Sequence, residues 1–160
     1  MENLNKKALN YCLFLLSRQS YSRKQILDKL KRKKYPDEVI TGTLAKLQEW
    51  KYLDDRAFAV EFARSRLRSK PRSAALLVRE LGQKGINREE AREVAGSVME
   101  QLGLDEEALA RQSLERKLGS YLKIDREKGA ARARNFLLRQ GFSYEIVNSL
   151  IKEKWGQKDL

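Results

Sequence analysis

No histidine occurs among the 160 residues, and there is one cysteine, Cys12. The first absence removes serine–histidine and cysteine–histidine nucleophilic systems, together with every histidine metal site. A single cysteine forms no internal disulfide and suits a reducing compartment. No apolar run approaches the roughly 20 residues that span a bilayer. The opening Met1-Glu-Asn-Leu-Asn-Lys6 lacks the apolar stretch of a secretion signal. The expectation is therefore a cytoplasmic chain with no membrane contact. Only two prolines are present, and no segment alternates β-branched with polar residues, so strands have little support. A strand followed by a glycine-rich phosphate loop is also missing, because Gly82 and Gly85 close a helical pattern.

What the chain does contain is one phrase written three times. Leu30-Lys-Arg-Lys-Lys34-Tyr35, Leu81-Gly-Gln-Lys-Gly85-Ile86 and Leu137-Leu-Arg-Gln-Gly141-Phe142 each set a second apolar side chain five residues after a leucine. That offset fits a helix stop in which a left-handed residue at C′ folds the next side chain back onto the last turn. Lysine stands at position 34 where glycine stands in the other copies, and a left-handed lysine costs about 1 kcal/mol relative to glycine. A second phrase repeats as well: Leu53-Asp-Asp-Arg-Ala-Phe-Ala59 returns as Leu104-Asp-Glu-Glu-Ala-Leu-Ala110. Fixed-period repetition means an array of supersecondary units. The chain divides into three three-helix, helix-turn-helix-like repeats, 1–53, 54–104 and 105–160, forming an elongated, curved all-α array.

Helix patterns fill each unit. Leu9, Cys12, Leu13 and Leu16 make one stripe, and Ser22-Arg-Lys-Gln25 is a capping box before Ile26, Leu27 and Leu30. Val39, Ile40, Thr43, Leu44 and Leu47 mark the third helix. Asp54, Ser73, Asn87, Asp105 and Ser143 are the expected caps of later helices. Five extra residues lie between Asp105 and Leu137, most simply as a longer first helix or loop around Ser120–Asp125. Trp50, Tyr52 and Leu53, like Leu102 and Leu104, fall at unit junctions and are expected to pack one unit on the next.

Acidic pairs at Asp54-Asp55, Glu89-Glu90 and Glu106-Glu107 fall in predicted first helical turns, where they cap and complement the dipole. They lack the further acids of a two-metal nuclease, so neither enzyme chemistry nor a cofactor is expected. Cys12, on an apolar stripe, reads as a buried inert thiol.

Charge is the remaining signal. Thirty-four basic and 22 acidic residues leave a formal +12, of which +7 falls in 1–53, +2 in 54–104 and +3 in 105–160. Such an excess favours a polyanionic partner. Lys29, Lys31, Arg32, Lys33 and Lys34 crowd the end of the second helix. Arg64, Arg66, Arg68, Lys70 and Arg72 run through a helix end and the loop around Pro71. Arg111, Arg116 and Lys117 belong to the third unit's first helix, and Arg132 and Arg139 to its second. Any one cluster reads as a solvated face; recurrence in all three units points to one extended basic partner-binding surface.

Taken together, Tyr21-Ser22 before Ile26-Leu-Asp-Lys-Leu30, Tyr52-Leu-Asp-Asp-Arg-Ala-Phe-Ala59, Arg79-Glu-Leu-Gly-Gln-Lys-Gly-Ile86 and Arg134-Asn-Phe-Leu-Leu-Arg-Gln-Gly-Phe142 resemble the RecX family, from about Ala8 to Lys154. Lys34 and Lys70-Pro-Arg-Ser73 depart from the glycine-containing turns expected of it. The resemblance implies a non-enzymatic regulator that binds RecA protein and the RecA–DNA filament, lying in the filament groove and modulating, mostly inhibiting, its ATPase, coprotease and strand-exchange activities. It also implies weak direct binding to single- or double-stranded DNA. The rival reading is a stand-alone helix-turn-helix DNA-binding protein.

Overall fold

Short polar side chains decide where the helices begin. The computed structural model describes residues 1–156, and the predicted end of the third unit at residue 160 lies outside them. Among the described residues there are nine helices and no strand: α1 (Glu2–Arg18), α2 (Arg23–Arg32), α3 (Asp37–Glu49), α4 (Asp55–Ser69), α5 (Ala74–Gln83), α6 (Arg88–Gln101), α7 (Glu106–Leu122), α8 (Arg126–Arg139) and α9 (Tyr144–Trp155). Ser22 accepts from Gln25 N at 3.2 Å while Gln25 Oε1 accepts from Ser22 N at 3.0 Å, the reciprocal box read from sequence. Asp54, Ser73, Asn87, Asp105 and Ser143 each accept the amide three residues on.

The stops follow the five-residue grammar. Tyr35 N, Ile86 N and Phe142 N donate to the carbonyls of Leu30, Leu81 and Leu137 at 3.3, 3.1 and 3.3 Å. The residue between them is left-handed, with φ of +60° at Lys34, +89° at Gly85 and +88° at Gly141. The same stop closes α3 and α6, where Tyr52 N donates to Leu47 O at 2.8 Å around Lys51, and Leu104 N donates to Met99 O at 2.9 Å around Gly103. Lys51 has φ +60°.

The first three helices bury nine apolar side chains in a cluster of their own, centred on Ile26, Leu30, Leu44 and Leu47. Twenty-four others form one core that runs without a break from Phe58 through Leu77, Leu81 and Leu114 to Trp155. The second and third units therefore share an interior that the first does not enter. At about 1.5–3 kcal/mol per buried leucine or isoleucine, that shared interior outweighs any single polar bond in holding α4–α9 together.

Both joints nevertheless carry the same polar lock, 51 residues apart on the donating side. Ser22 Oγ donates to Lys84 O at 2.5 Å and Arg23 N donates to Asp55 Oδ1 at 2.8 Å. Ser73 Oγ donates to Gln140 O at 2.6 Å and Ala74 N donates to Glu106 Oε1 at 2.7 Å. In each case the cap serine of one unit's middle helix reaches the carbonyl just before the next unit's turn glycine. The close approach explains those glycines. A Cβ at Gly85 would sit 2.5 Å from Lys24 Cβ, and one at Gly141 would collide with Ser73 Oγ. The turn at Lys34 is exposed, so it meets only the φ requirement, and a side chain fits.

Three expectations change. On α1 the fully buried positions are Ala8 and Cys12, while Leu9, Leu13 and Leu16 are only partly covered; the small residues let α1 lie close to α3. Of the junction residues, Leu53 is buried, but Trp50 and Tyr52 are 49% and 55% exposed, so they do not pack the units together. The stop at Lys51 turns both rings outward. Of the two alternatives for the five extra residues, the longer first helix holds in part, α7 having 17 residues against 15 in α4. Most of them, however, form an added N-terminal turn on α8, which has 14 residues against 10 in α2 and α5. That added turn is anchored by Arg126, whose Nη2 donates to Trp155 O.

Candidate functional site

Helix ends deliver the cations. Lys31, Arg32 and Lys33 lie exposed at the last turn of α2, where positive charge also complements the carbonyl pole. Lys33 Nζ stands 5.4 Å from the Tyr11 ring centroid, Lys29 Nζ 5.1 Å from Tyr21, and Arg18 4.8 Å from Phe14. These contacts hold side chains near aromatic faces without neutralising them. Among the described residues no ion pair involves residues 1–53; all four belong to the later units. The net +7 of the first unit is therefore not offset by ion pairs, although Arg23 and Lys51 share a groove at its border with Asp54, Asp55 and Glu90 of the second unit.

The middle cluster splits. Arg64 and Arg68 line an open groove of about 990 Å³ along α4, with Arg56, Glu61, Ser65 and Ser69. Arg64 is steadied by Gln101 Oε1 at 2.7 Å, and Arg66 turns to the Phe62 ring at 4.9 Å. Lys70 is exposed in the loop. Arg72 is not part of this surface. It is 7% exposed, its Nη1 donates to Glu80 Oε1 at 2.5 Å, and its Nε donates to Lys70 O at 3.2 Å. Its role is to pin the Lys70–Pro71 loop to α5, so that Ser73 meets the next unit. Alternation of arginines in the sequence could not separate it from its neighbours; a glutamate one helical stretch later was the available signal.

In the third unit, Arg111 is engaged by acids on two sides. It donates to Glu153 at 2.7 and 2.9 Å and to Glu107 at 3.3 Å. The hydrogen bonds from Arg111 hold the Glu153 carboxyl below the usual carboxylate range, and those with Glu153 raise the guanidinium in turn. Its charge is spent tying α7 to α9. Arg116 remains exposed and reaches Ser69 O at 3.4 Å, while Lys117 Nζ lies 4.1 Å from the Phe136 centroid. Arg132 and Arg139 are exposed and face a common neighbour, Tyr121. Partial burial raises the Tyr121 phenol, and the two cations oppose that shift. Cys12 is buried, and desolvation pushes its thiol up to about 11, which leaves no nucleophile.

Lys34 extends the basic cluster of the second helix end, whereas Lys51 lies outside every cluster read from the sequence; both are exposed cations without an ion pair among the described residues. Leu47 and Tyr52, five apart, already carried the stop signature that frames the second of them.

An all-helical chain of three similar three-helix units, locked serine to carbonyl and with its largest net charge on the first, defines a tandem-repeat helical protein. Family profiles described as the first, second and third three-helix domains of RecX match residues 8–47, 54–94 and 105–151. The chain belongs to the RecX family. It is 30% identical over 158 residues to Regulatory protein RecX of Bacillus velezensis, covering 96% of this chain and 57% of that protein. To the Amycolatopsis mediterranei protein of the same name it is 30% identical, over 96% of this chain and 86% of the relative. The chain thus spans little more than half the length of some relatives and most of others. In fold it is similar to a RecX crystal structure from Lactobacillus salivarius, with TM-score 0.73 and 21% identity over 96% of this chain and 98% of that one. A second crystal structure of regulatory protein RecX aligns at TM-score 0.78 and 24% identity, over 94% of this chain and 73% of that one.

Proposed function

We propose that the chain is a non-enzymatic regulator that binds RecA and the RecA–DNA filament in the cytoplasm, and inhibits ATP hydrolysis, coprotease action and strand exchange. Three units, proposed at 1–53, 54–104 and 105–160, offer contacts at a repeated spacing. A filament presents its own repeated spacing, so several weak contacts act together and avidity replaces any one tight contact. The array favours whichever filament state fits it, and that difference in affinity is what shifts activity. The observation that supports this reading is the charge of the first unit, net +7 with no ion pair among the described residues, on a repeat scaffold whose later units add exposed arginines such as Arg68, Arg116 and Arg132.

Direct affinity for bare DNA is weaker and strongly salt-dependent in this reading. A stand-alone helix-turn-helix protein would send its third helices into a groove, yet α3 begins with Asp37 and Glu38 and α6 carries Glu89 and Glu90. Acids there oppose entry between phosphates. Titration into RecA assembled on single-stranded DNA, following ATP hydrolysis and strand exchange, is the test. Both are expected to fall at substoichiometric to equimolar chain. Unchanged rates at stoichiometric excess exclude the reading, and tighter binding to bare than to RecA-coated DNA at physiological salt selects the rival.

A further inference from the structure

We infer that Lys34 and Lys51, the lysines at the two left-handed turns of the first unit, are phosphate contacts to the nucleic acid of the partner filament. The inference rests on the proposed function for the identity of that filament, and on the following geometry for the residues.

Six residues have a left-handed φ among those described, and four are glycine: Gly85, Gly103, Gly141 and Gly156. The other two are lysines, both at +60° and both in the first unit. Each closes the same kind of turn as a glycine counterpart in the next unit, Lys34 matching Gly85 and Lys51 matching Gly103. Glycine would adopt either turn without the clash that a Cβ brings there. A side chain is tolerated at 34 because nothing covers that turn, unlike Gly85 and Gly141, against which the preceding unit is packed. Tolerance alone does not select lysine twice. Asparagine is the ordinary non-glycine occupant of this region, and a strained residue in an exposed turn points to use of its side chain.

What the side chains offer is positive charge outside any ion pair. Lys34 continues Lys31, Arg32 and Lys33 beyond the helix end, and Lys51 lies on a groove between the first and second units that it shares with Arg23 and Arg56 and with the carboxylates of Asp54, Asp55 and Glu90. Neither has an ion pair among the described residues, whereas Arg56, Arg72 and Arg111 do. An ammonium on a flexible stem is a point charge suited to phosphates spaced along a polymer, and lacks the fork that matches a fixed carboxylate. Two such charges on separate turns fit a repeating polyanion better than a single pocket.

The test sets fold and binding against each other. Lys34→Gly with Lys51→Gly relieves both turns, so the urea midpoint is expected at or above that of the parent chain. Affinity for bare single-stranded DNA and for RecA-coated DNA is expected to fall about tenfold, with the salt slope flatter by about 1.5. Lys34→Arg with Lys51→Arg, which keeps charge and strain, is expected to bind as the parent does. Unchanged affinity and slope in the glycine variant overturn the inference, as does a lowered midpoint. A loss confined to RecA-coated DNA overturns the phosphate assignment and places the lysines against protein carboxylates. If the parent chain shows no preference for coated over bare DNA while the loss on bare DNA persists, the functional reading fails and this inference stands.

Discussion

The first unit and the block made by the second and third are built from the same phrases but solve different problems. In the first, nine buried apolar side chains form a closed cluster, and the joint to its neighbour is polar: Ser22 to Lys84 O and Arg23 N to Asp55. In the block, the equivalent lock at Ser73 is backed by an interior of 24 side chains that crosses the joint. The charges divide the same way. Ion pairs occur inside each unit of the block, as in Arg111 with Glu153, and none is found in residues 1–53 among those described. A repeat need not do identical work in each copy. Here the first copy carries a net +7 against +2 and +3 in the other two.

The largest expected effect separates the two interiors. Leu30→Ala and Leu81→Ala each empty a fully buried site and should cost about 3 kcal/mol. Leu30→Ala should unfold the first unit alone, exposing Cys12 to a thiol reagent while most helical circular dichroism persists. Leu81→Ala should melt α4–α9 together and leave Cys12 protected to higher urea than the helical signal. A single shared transition in both variants would show that the polar joint couples the units as firmly as the continuous core does.

The turns sharpen the comparison at an intermediate scale. Gly141→Ala meets Ser73 Oγ and, at 3.1 Å, the Leu76 amide, so both φ and the joint resist it; about 2–3 kcal/mol is expected in urea titration. Gly85→Ala should cost about 2 kcal/mol, more than φ alone demands, because its Cβ meets that of Lys24. Equal losses near 1 kcal/mol would mean that the joints yield and that φ alone selects glycine.

The smallest effect is electrostatic. Because Arg111 depresses the Glu153 carboxyl, the folded state favours its ionised form. Its stabilising contribution is present above the ordinary carboxylate pKa of about 4.3 and is lost as pH falls through the depressed value. Glu153→Gln should therefore make thermal stability slightly less acid-sensitive below about pH 5, and leave the neutral-pH melt almost unchanged. An unaltered acid limb would show that this exposed pair is screened.

Much of the architecture was legible because it is local. Cap residues such as Ser22, Asp105 and Ser143, and stops such as Leu81–Ile86, act within one turn of backbone, so their spacing carries the whole instruction. Burial of Val39, Ile40, Thr43, Leu44 and Leu47 followed from periodicity in the same way. The pairing of Arg111 with Glu153 was not legible because that acid lies 42 residues away, a separation that chain pattern does not encode; Glu107 four residues before Arg111 and Glu80 eight after Arg72 were within reach of a helical reading. Trp50 and Tyr52 were misplaced because their direction depends on how Lys51 turns the backbone.

By itself, then, the sequence determined the helices, their ends and their threefold recurrence, since backbone hydrogen bonding and side-chain period are short-range. Tertiary structure alone decided which cations remain free, why glycine is required at 85 and 141 but not at 34, and where one interior stops and the next begins. Those outcomes depend on what approaches from elsewhere in the chain: a serine hydroxyl against a turn, a glutamate against a guanidinium, a second unit's leucines against the first layer of a core.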